Sequence, residues 1–322
     1  MEPDCRHVAP RDGPFAARMR FHQSWYRRHL LRVPPGPYPG KNGVRLGSQL
    51  TPQDARAGRN FLTPAIHTSV ESRLRETRGV IQPQRVRANM LSSQPMCFNL
   101  WAPLADDLEL ATRLVRRLPG LPAELQVSNV EVEYAPNKAL HLNDATAFDA
   151  FIEYELPNGT RGFVGVETKL TEPFSKQGYP FEERYSRWME RDGWWWRGDC
   201  EAAFPNPLFN QLWRNHLLAF AMLRQDNATH QEAFSAVLYH DRDASCPIAL
   251  LAYQAHLHPD AAGTLLEWRL GEVVDAWQGG LETPEERKWL GDFRKRYLDL
   301  SASARAWDAF RAQDHSPANL SE

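Results

Sequence analysis

The sequence predicts an α/β fold in which a mixed central sheet is flanked by helices, with helical additions at both ends of the chain. Two observations support this prediction. Apolar residues recur every three or four positions near residues 64–77, 103–118 and 206–223, a spacing typical of amphipathic helices. Apolar and polar residues alternate instead near 130–134 and 148–155, which is typical of half-buried strands. A chain that combines both periods favours helices packed on a sheet.

The length of 322 residues is at the upper end of what one hydrophobic core supports, so one elaborated domain or two closely packed ones both fit. Hydrophobic residues make up 42% of the chain and charged residues 24%, proportions at which most of the chain is expected to fold. We predict an N-terminal extension over 1–60, a core over 61–256, and a helical C-terminal region over 257–322 with a loose tail.

The first part of the chain is expected to contribute little to the core. Prolines and glycines crowd residues 34–40, which predicts an extended connection after a short basic helix near 16–31, and we expect this segment to be peripheral. Thr63 precedes Pro64 as a capping hydroxyl, and a helix over about 64–77 follows. A second helix is predicted over about 103–118.

The middle of the chain predicts three consecutive antiparallel strands. The first covers Val130 to Tyr134, the second 148–155 and the third 161–170, with the turn sequence Pro-Asn-Gly-Thr between the last two. A helix over about 206–223 and a buried strand over 236–239 follow. The chain from residue 261 onward is predicted to be helical.

Composition excludes several classes of protein. The four cysteines are scattered without zinc-binding spacing, which argues against a disulfide scaffold or a structural zinc site. No apolar run approaches the roughly 20 residues that span a bilayer, and the polar start lacks the apolar segment of a signal peptide. We therefore expect a soluble, cytoplasmic protein with no membrane partner.

The net charge of −2 gives no argument from overall basicity for binding nucleic acid. Any such binding would need a local basic surface. Two arginine groups offer one, although arginines at helical spacing more often form a solvated face: Arg113, Arg116 and Arg117, or Arg73, Arg75, Arg78, Arg85 and Arg87.

Two neighbouring strands carry a combination of charged residues with a specific chemistry. Asp149 lies on the second strand, and Glu167-Thr168-Lys169 ends the third. Two carboxylates suit a hard, oxygen-seeking ion such as Mg²⁺. A lysine beside them can orient or help to deprotonate a water molecule and offset charge that develops on a phosphate.

The Glu-x-Lys triplet is weak evidence alone, because an acidic residue two positions before lysine occurs about once or twice by chance in a chain this long. It occurs a second time at Glu286-Arg287-Lys288, where a charged first helical turn after Thr283-Pro284 accounts for it. Glu167 and Lys169 differ because an apolar strand precedes them, and such a strand rarely carries a charged pair without a reason.

With these residues in place, the chain resembles the PD-(D/E)XK nuclease superfamily, the fold of many restriction enzymes. It is similar to an uncharacterised restriction-endonuclease branch in three stretches, residues 89–94 (NMLSSQ), 146–149 (TAFD) and 165–175 (GVETKLTEPFS), within roughly 60–255. Phe148 departs from the pattern, because many members have proline there.

The resemblance implies a restriction-endonuclease-like core and a metal-dependent endonuclease, with a role in restriction or defence. It implies that Asp149 and Glu167 bind Mg²⁺, for which Mn²⁺ would substitute, and that Lys169 serves the attacking water, leaving a 5′-phosphate. The expected partner is nucleic acid, foremost double-stranded DNA, and a homodimer is compatible with cutting both strands.

Helical residues are expected to support this site. Superfamily members often add a helical carboxylate before the sheet, and Glu71 is the best match by position as a further metal ligand, although a solvated glutamate is the common alternative. Gln211 and Asn215 lie one turn apart on the later helix, where their amides could order water or phosphate or simply make packing hydrogen bonds. His216 is expected to be a core histidine.

Hairpin geometry provides a test of the site. If Asn158-Gly159 formed a tight two-residue turn, Asp149 would face Thr168, and Glu167 would point to the opposite side of the sheet. Asp149 and Glu167 share a face only if the loop has an odd number of residues or if one strand carries a bulge.

Between 170 and 206, basic and aromatic side chains are interleaved, which suits either a flap that contacts substrate or a small satellite core. Its members are Phe174, Lys176, Tyr179, Phe181, Arg184, Tyr185, Arg187, Trp188, Arg191, Trp194, Trp195, Trp196 and Arg197. Two other functions stay open: cleavage of RNA or of branched or single-stranded DNA, and a non-catalytic DNA-binding module of the same fold.

Overall fold

The computed structural model describes residues 5–76, 81–175, 178–190, 194–198 and 200–314. Within these ranges the strands form two separate sheets, one of three strands and one of five. The strands are β1 (Cys5–Arg6), β2 (Pro35–Pro37), β3 (Arg45–Leu50), β4 (Gln126–Tyr134), β5 (Phe148–Glu155), β6 (Arg161–Lys169), β7 (Glu232–Tyr239) and β8 (Leu265–Arg269).

Helices surround both sheets, with short 3₁₀ segments at Lys138–Leu140, Pro259–Thr264 and Ser301–Ser303 and a π-helical turn at Arg27–Leu31. The α-helices are α1 (Pro14–Tyr26), α2 (Pro52–Arg56), α3 (Pro64–Arg75), α4 (Pro83–Ala88), α5 (Ser93–Asp106), α6 (Leu108–Val115), α7 (Glu183–Glu190), α8 (Asn210–Arg224), α9 (Ser245–Gln254), α10 (Leu270–Gln278), α11 (Pro284–Tyr297) and α12 (Ala304–Asp314).

The five-stranded sheet has the order β4-β5-β6-β7-β8. Its first three strands run antiparallel to one another, whereas β6, β7 and β8 are parallel. Parallel neighbours need a crossover connection, and α8 lies between β6 and β7 in the chain. The predicted mixed sheet with a three-stranded antiparallel part is therefore confirmed.

Alternate residues of β5 and β6 supply two hydrophobic cores, one on each face of this sheet. Ile152 and Val164 belong to the core beneath α5, α6, α10 and α11. Phe151 and Phe163 belong to the core shared with α8 and α9. The period of two that predicts these strands thus corresponds to burial on both faces, which is typical of strands in the centre of a sheet.

Two expectations about elements were wrong. The predicted helix over 103–118 is divided into α5 and α6, because the Asp107 carboxylate accepts hydrogen bonds from the backbone N–H groups of Glu109 and Leu110 and starts a new helix. The helix over 64–77 is confirmed as α3. Residues 265–269, expected to be helical, form strand β8 because they pair in parallel with β7.

The N-terminal segment was expected to be peripheral, but it packs into the main hydrophobic core. Met19 of α1 belongs to the main hydrophobic core, and Gln23 donates a hydrogen bond of 2.8 Å to the backbone oxygen of Arg296 in α11. His22 contacts the C-terminal part as well, through Ser303 Oγ at 2.8 Å. The first and last parts of the chain therefore pack against each other. The division at residues 60 and 256 stays a prediction.

The structure also describes the cysteines and the lengths of the apolar helices. All four cysteines are buried and free of disulfides. Within the described residues, no helix combines the length and apolar character needed to cross a bilayer.

Candidate active site

The register of the β5–β6 hairpin brings the two predicted carboxylates together. The last paired residues at the turn are Glu155 and Arg161, so the connecting loop has five residues, an odd number. At the other end Ala150 pairs with Val166, which places Asp149 opposite Glu167, one position beyond that pair. Directly opposite residues point to the same face of a sheet. The geometric condition derived from the sequence is therefore met.

Lys169 forms an ion pair with the neighbouring carboxylate. Its Nζ lies 2.7 Å from Glu167 Oε1 and donates a second hydrogen bond of 3.2 Å to Gln211 Oε1. The ammonium also lies 5.0 Å from the centre of the Phe174 ring, within the range of a cation–π contact. Because Glu167 and Lys169 are only 7% and 6% exposed, this pair is held largely out of water.

Helix α8 supplies two amides to the same carboxylate. Gln211 Nε2 donates to Glu167 Oε1 at 2.8 Å, and Asn215 Nδ2 donates to Glu167 Oε2 at 2.7 Å. Four residues separate the amides, so both project from one side of the helix toward β6. The sequence left open whether these amides serve the site or only pack the helix, and the structure places both in the cleft, in contact with Glu167.

Asp149 is held by one hydrogen bond to its carboxylate and one to its backbone oxygen. Its Oδ2 accepts a 2.7 Å hydrogen bond from the Thr168 N–H, and its own backbone oxygen accepts from Cys97 Sγ at 3.2 Å. Burial, together with repulsion from Glu167 and Glu133, raises the pKa of Asp149 well above its usual value. The carboxylate is therefore positioned among like charges.

Glu133 is a third carboxylate of the site that the sequence did not identify. It is 4% exposed, and its Oε1 accepts a hydrogen bond of 3.3 Å from Gln94 Nε2. Burial, and next the charge of Glu167, raise the pKa of Glu133 to about 7. A sequence signal did exist: Glu133 lies near the end of β4, the strand paired with the one that carries Asp149.

The backbone at Glu133 is unusual, with a φ of 59° in the left-handed region that non-glycine residues rarely adopt. Arg73 of α3 stabilises this conformation by donating to the backbone oxygens of Val132, at 3.2 Å, and of Glu133. Arg73, which the sequence offered as part of a basic surface, is therefore a buried support for this strand.

These side chains line one open cleft of about 440 Å³. Two arginines, Arg85 and Arg214, also line this cleft. The guanidinium carbon of Arg214 lies 4.0 Å from the centre of the Tyr179 ring. The other lining residues are Gln82, Ser93, Gln94, Glu133, Ala145, Thr146, Ala147, Phe148, Asp149, Glu167, Lys169, Glu172, Pro173, Ser175, Gln211 and Asn215.

The charge of Lys169 follows from its neighbours. Burial alone would lower the pKa of its ammonium, but the carboxylates of Glu167 and Asp149 raise that pKa above its ordinary value. Lys169 is therefore an ammonium ion at neutral pH, suited to stabilising negative charge.

Glu71, expected as a further metal ligand, does not line the cleft. Its carboxylate accepts hydrogen bonds of 2.6 and 2.7 Å from Arg87, and His67 lies 3.6 Å away on the same helix. The contact with the Arg87 guanidinium lowers the pKa of Glu71, as expected for an ordinary surface ion pair. The place of Glu71 in the chain, before the sheet, therefore did not predict its place in the fold, because its side chain points to α4.

One of the two expected basic surfaces has a structural role instead. Arg113 pairs with Glu286 at 2.8 Å, while Arg116 and Arg117 donate to the backbone oxygens of Leu125 and Gly279. These three arginines therefore connect elements to one another. Arg78 lies outside the described residues.

The basic and aromatic segment packs mainly into the hydrophobic core that α8 shares with one face of the five-stranded sheet, not into a separate small core. Trp188, Trp195 and Trp196 are buried in the hydrophobic core beside α8. Arg187 and Arg197 donate to backbone oxygens of His141 and Leu257. Lys176 and Arg191 of this segment lie outside the described residues. The part that is described favours packing over a substrate-contacting flap.

His216 and the second Glu-x-Lys triplet behave as expected of structural residues. His216 is fully buried and contacts Tyr253 Oη at 2.9 Å and Thr264 Oγ1 at 2.8 Å. Glu286 belongs to a capping box with Thr283 at the start of α11.

The donor chemistry of the cleft fits a hard divalent cation. Glu133, Asp149 and Glu167 bring carboxylate oxygens together from three adjacent strands. Burial, and then repulsion from neighbouring carboxylates, raises the pKa of Glu133 and of Asp149, an effect that a bound cation would offset. As the side chains stand, no three acidic, histidine or cysteine residues in the described ranges form a preformed metal site. Glu167 instead holds Lys169 and two amides.

Comparison with known proteins identifies the family. A family model described as the PD-(D/E)XK nuclease superfamily matches residues 10–299. The chain therefore belongs to the PD-(D/E)XK nuclease superfamily, whose members act on nucleic acids and generally use divalent metal ions. The five-stranded mixed sheet agrees with that fold. No curated protein and no solved structure gives a significant match.

Proposed function

We propose that this chain is a Mg²⁺-dependent endonuclease that hydrolyses phosphodiester bonds in DNA. One observation supports the proposal above the others: Asp149, Glu167 and Lys169 come from two paired strands and meet in a single open cleft. Their placement satisfies the geometric condition that the sequence motif alone left open. A surface hairpin with ordinary ion pairs would not need to bury this charged pair.

Three carboxylates are available to hold the metal ion, namely Asp149, Glu167 and Glu133, the last in place of the Glu71 expected from sequence. Mg²⁺ held by these residues would supply the positive charge that activates a water molecule and polarises the phosphate. The protein contributes the oxygen donors, and the three strands fix their separation. In this proposal Glu133 compensates for the absence of a helical carboxylate in the cleft.

Lys169 is proposed to stabilise charge on the reacting phosphate and to orient the attacking water. Its raised pKa supports a charged ammonium in this role rather than a proton acceptor. Such preorganised charge in a partly desolvated site is a major source of rate acceleration. Gln211 and Asn215 hold the Glu167 carboxylate on both of its oxygens, so they act as positioning residues.

DNA is the substrate class that we propose within the nucleic acids. The preference for DNA comes from the resemblance to restriction enzymes. The cleft is open, and two arginines line it, Arg85 paired with Glu172 and Arg214 paired with Asp144, which could bind phosphates of either nucleic acid. Roles in restriction or defence, and a homodimer that would cut both strands, stay predictions of the family resemblance.

The proposal is tested by incubating the purified protein with plasmid DNA, linear single-stranded DNA and RNA, each with Mg²⁺ or with EDTA. We expect cleavage of DNA with Mg²⁺ and none with EDTA. In the Lys169→Ala variant the rate should fall by about a hundredfold or more, because the cation beside the phosphate is lost.

A matched control is available in the second Glu-x-Lys triplet. Lys288 is exposed and pairs with Asp292 on α11, so Lys288→Ala removes the same side chain outside the cleft. This variant should cut like the wild type. Equal rates for Lys169→Ala and the wild type would overturn the proposed site, and cleavage of RNA alone would overturn the proposed substrate.

A further inference from the structure

A second groove lies beside the active-site cleft and is built largely from the N-terminal part of the chain. Its volume is about 660 Å³, and its walls come from β2, the end of β3, α2 and α4. We infer that this groove binds the DNA strand as it continues away from the cleft. This inference rests on the proposed function, since it assigns a path to the same substrate.

The groove and the cleft adjoin each other. Gln82 and Arg85 line both of them. Arg85 is held at the junction, because Nη2 donates to Glu172 at 2.7 Å and Nε donates to Ser92 Oγ at 2.7 Å. A strand that leaves the carboxylate cleft on this side would therefore pass a fixed guanidinium before it enters the groove.

The charge of the groove is opposite to that of the cleft. Arg56, Arg85 and Arg87 line it, and none of its described lining residues is acidic. Arg85 and Arg87 each hold a carboxylate outside the groove, Glu172 and Glu71, whereas exposed Arg56 has no ion pair among the described residues. A polyanion that approaches a metal site framed by carboxylates gains from such a flanking basic surface.

The remaining lining suits contact with a nucleotide chain. Exposed Gln82 and Gln84 present amides, which donate and accept hydrogen bonds to sugars and base edges. Exposed Pro37 and Pro39 present apolar ring faces. Pro83 and Asn89 complete this side of the groove.

The floor of the groove is rigid. Gln49, at the end of β3, pairs with Asn89 in an isolated antiparallel bridge. Next to this bridge, the Met90 N–H donates to the Ser48 backbone oxygen at 3.0 Å. These backbone contacts connect β3 to the segment after α4, and so join two walls of the groove.

Binding and catalysis are separated by measuring each with its own probe. Binding is followed by fluorescence anisotropy of a labelled 30-base-pair duplex at several salt concentrations, with every variant carrying Lys169→Ala so that no cutting occurs. Catalysis is followed with bis(p-nitrophenyl) phosphate and Mg²⁺, a diester small enough to occupy the cleft alone, with Lys169 intact.

We expect Arg56→Glu to lower the affinity for the duplex about tenfold and to reduce the slope of log affinity against log salt by about one, the loss of one phosphate contact. Its rate on bis(p-nitrophenyl) phosphate should equal that of the wild type. The matched control is Arg224→Glu, an exposed arginine at the far end of α8, 13 residues and hence roughly 20 Å beyond Gln211. Its affinity should be nearly unchanged.

The outcomes distinguish this inference from the proposed function. If Arg56→Glu binds the duplex as tightly as Arg224→Glu does, with both variants folded by circular dichroism, the groove does not hold DNA even though the cleft cuts it. If the wild type binds no duplex and cuts neither DNA nor the small diester, the proposed function fails and the groove inference fails with it.

Discussion

At the scale of single residues, Glu167 is the side chain on which the site converges. One of its oxygens lies 2.7 Å from Lys169 Nζ and accepts from Gln211 at 2.8 Å, and the other accepts from Asn215 at 2.7 Å. Each contact is charged or charge-assisted, and bonds of this kind are stronger than neutral ones. Glu167 therefore has a fixed orientation before any metal or substrate arrives.

Glu133 provides a residue-scale prediction about metal binding. In the Glu133→Gln variant an amide replaces one of three carboxylates, so we expect the affinity for Mn²⁺, measured by calorimetric titration, to fall about tenfold. Glu131→Gln, on the same strand but outside the lining of the cleft, is the control and should bind Mn²⁺ like the wild type. Unchanged affinity in Glu133→Gln would remove this residue from the site.

At the scale of elements, the position of Asp149 depends on how closely β5 and β6 approach around aromatic rings. A Cβ on Gly165 would lie 2.3 Å from the Phe148 ring, and a Cβ on Gly162 would lie 2.3 Å from the Tyr154 ring. Glycine at these places lets the rings lie flat against β6. Phe148, which stands where many family members have proline, thus has a packing role beside Asp149.

This packing predicts that Gly165→Ala damages both the fold and the site. The added methyl would displace Phe148 and should lower the free energy of unfolding by about 1–3 kcal/mol, measured by urea denaturation. Asp149, the next residue, would move with it, so the cleavage rate should fall too.

A second substitution checks the stated cause. Adding Phe148→Leu to Gly165→Ala removes the ring that the methyl contacts, and part of the lost stability should return. If the double variant is as unstable as the sum of the two single variants, the clash with the ring is not the cause.

The sequence predicted the hairpin well because period and turn residues are local signals. The predicted bounds of the strand Phe148–Glu155 match those of the structure. The loop between β5 and β6 has an odd number of residues, which is the condition under which Asp149 and Glu167 share a face of the sheet. Strand β8 was missed because five residues that run directly into α10 show no period of their own, and only their pairing with β7 defines them.

Among the site residues on strands, the sequence predicted only those on β5 and β6, which are adjacent in the chain. Asp149, Glu167 and Lys169 lie on consecutive strands, so sequence alone could place them together. The sequence places Glu133 near the end of a strand next to the one that carries Asp149, but the direction of its side chain depends on the β4 register and on a left-handed backbone position, which the sequence does not indicate. The sequence could not show that Glu71 lies outside the cleft, because the direction of a helical side chain depends on how its helix packs.

At the scale of the whole molecule, burial keeps several histidines among the described residues uncharged, and three of them have a strongly lowered pKa. Burial lowers the pKa of His22 and of His240 to about 4, and that of His216 to about 3. His22 lies on α1 and contacts Ser303, His240 contacts Tyr297, and His216 lies on the buried side of α8. Protonation of these histidines at low pH is therefore expected to destabilise several distant regions of the fold.

The sign of the pH dependence follows from these lowered values. In the unfolded chain the histidines titrate near their ordinary pKa of 6.5, so between about pH 6.5 and 4 the unfolded state binds protons that the folded state does not. The free energy of unfolding should fall as pH decreases through this window, by on the order of 2 kcal/mol for each residue. Above pH 7 their contribution should be constant.

His22→Gln tests this account, because glutamine keeps polar atoms near Ser303 but does not titrate. Its free energy of unfolding, measured by urea denaturation from pH 7.5 to 4.5, should decline less steeply than that of the wild type. His258→Gln is the control, since His258 is exposed, and its decline should match the wild type. A His22→Gln decline as steep as the wild type's would contradict the assignment.

Metal-dependent hydrolysis at the β5–β6 carboxylates is best tested by the single-turnover rate of duplex cleavage in Mg²⁺ for Asp149→Asn. Glu153→Gln serves as the matched control, because Glu153 lies on the same strand outside the cleft and binds His230 and Asn129. We predict that the Asp149→Asn rate falls by about a hundredfold or more at unchanged duplex affinity, while Glu153→Gln stays near the wild type. An Asp149→Asn rate within about threefold of the wild type would contradict the account.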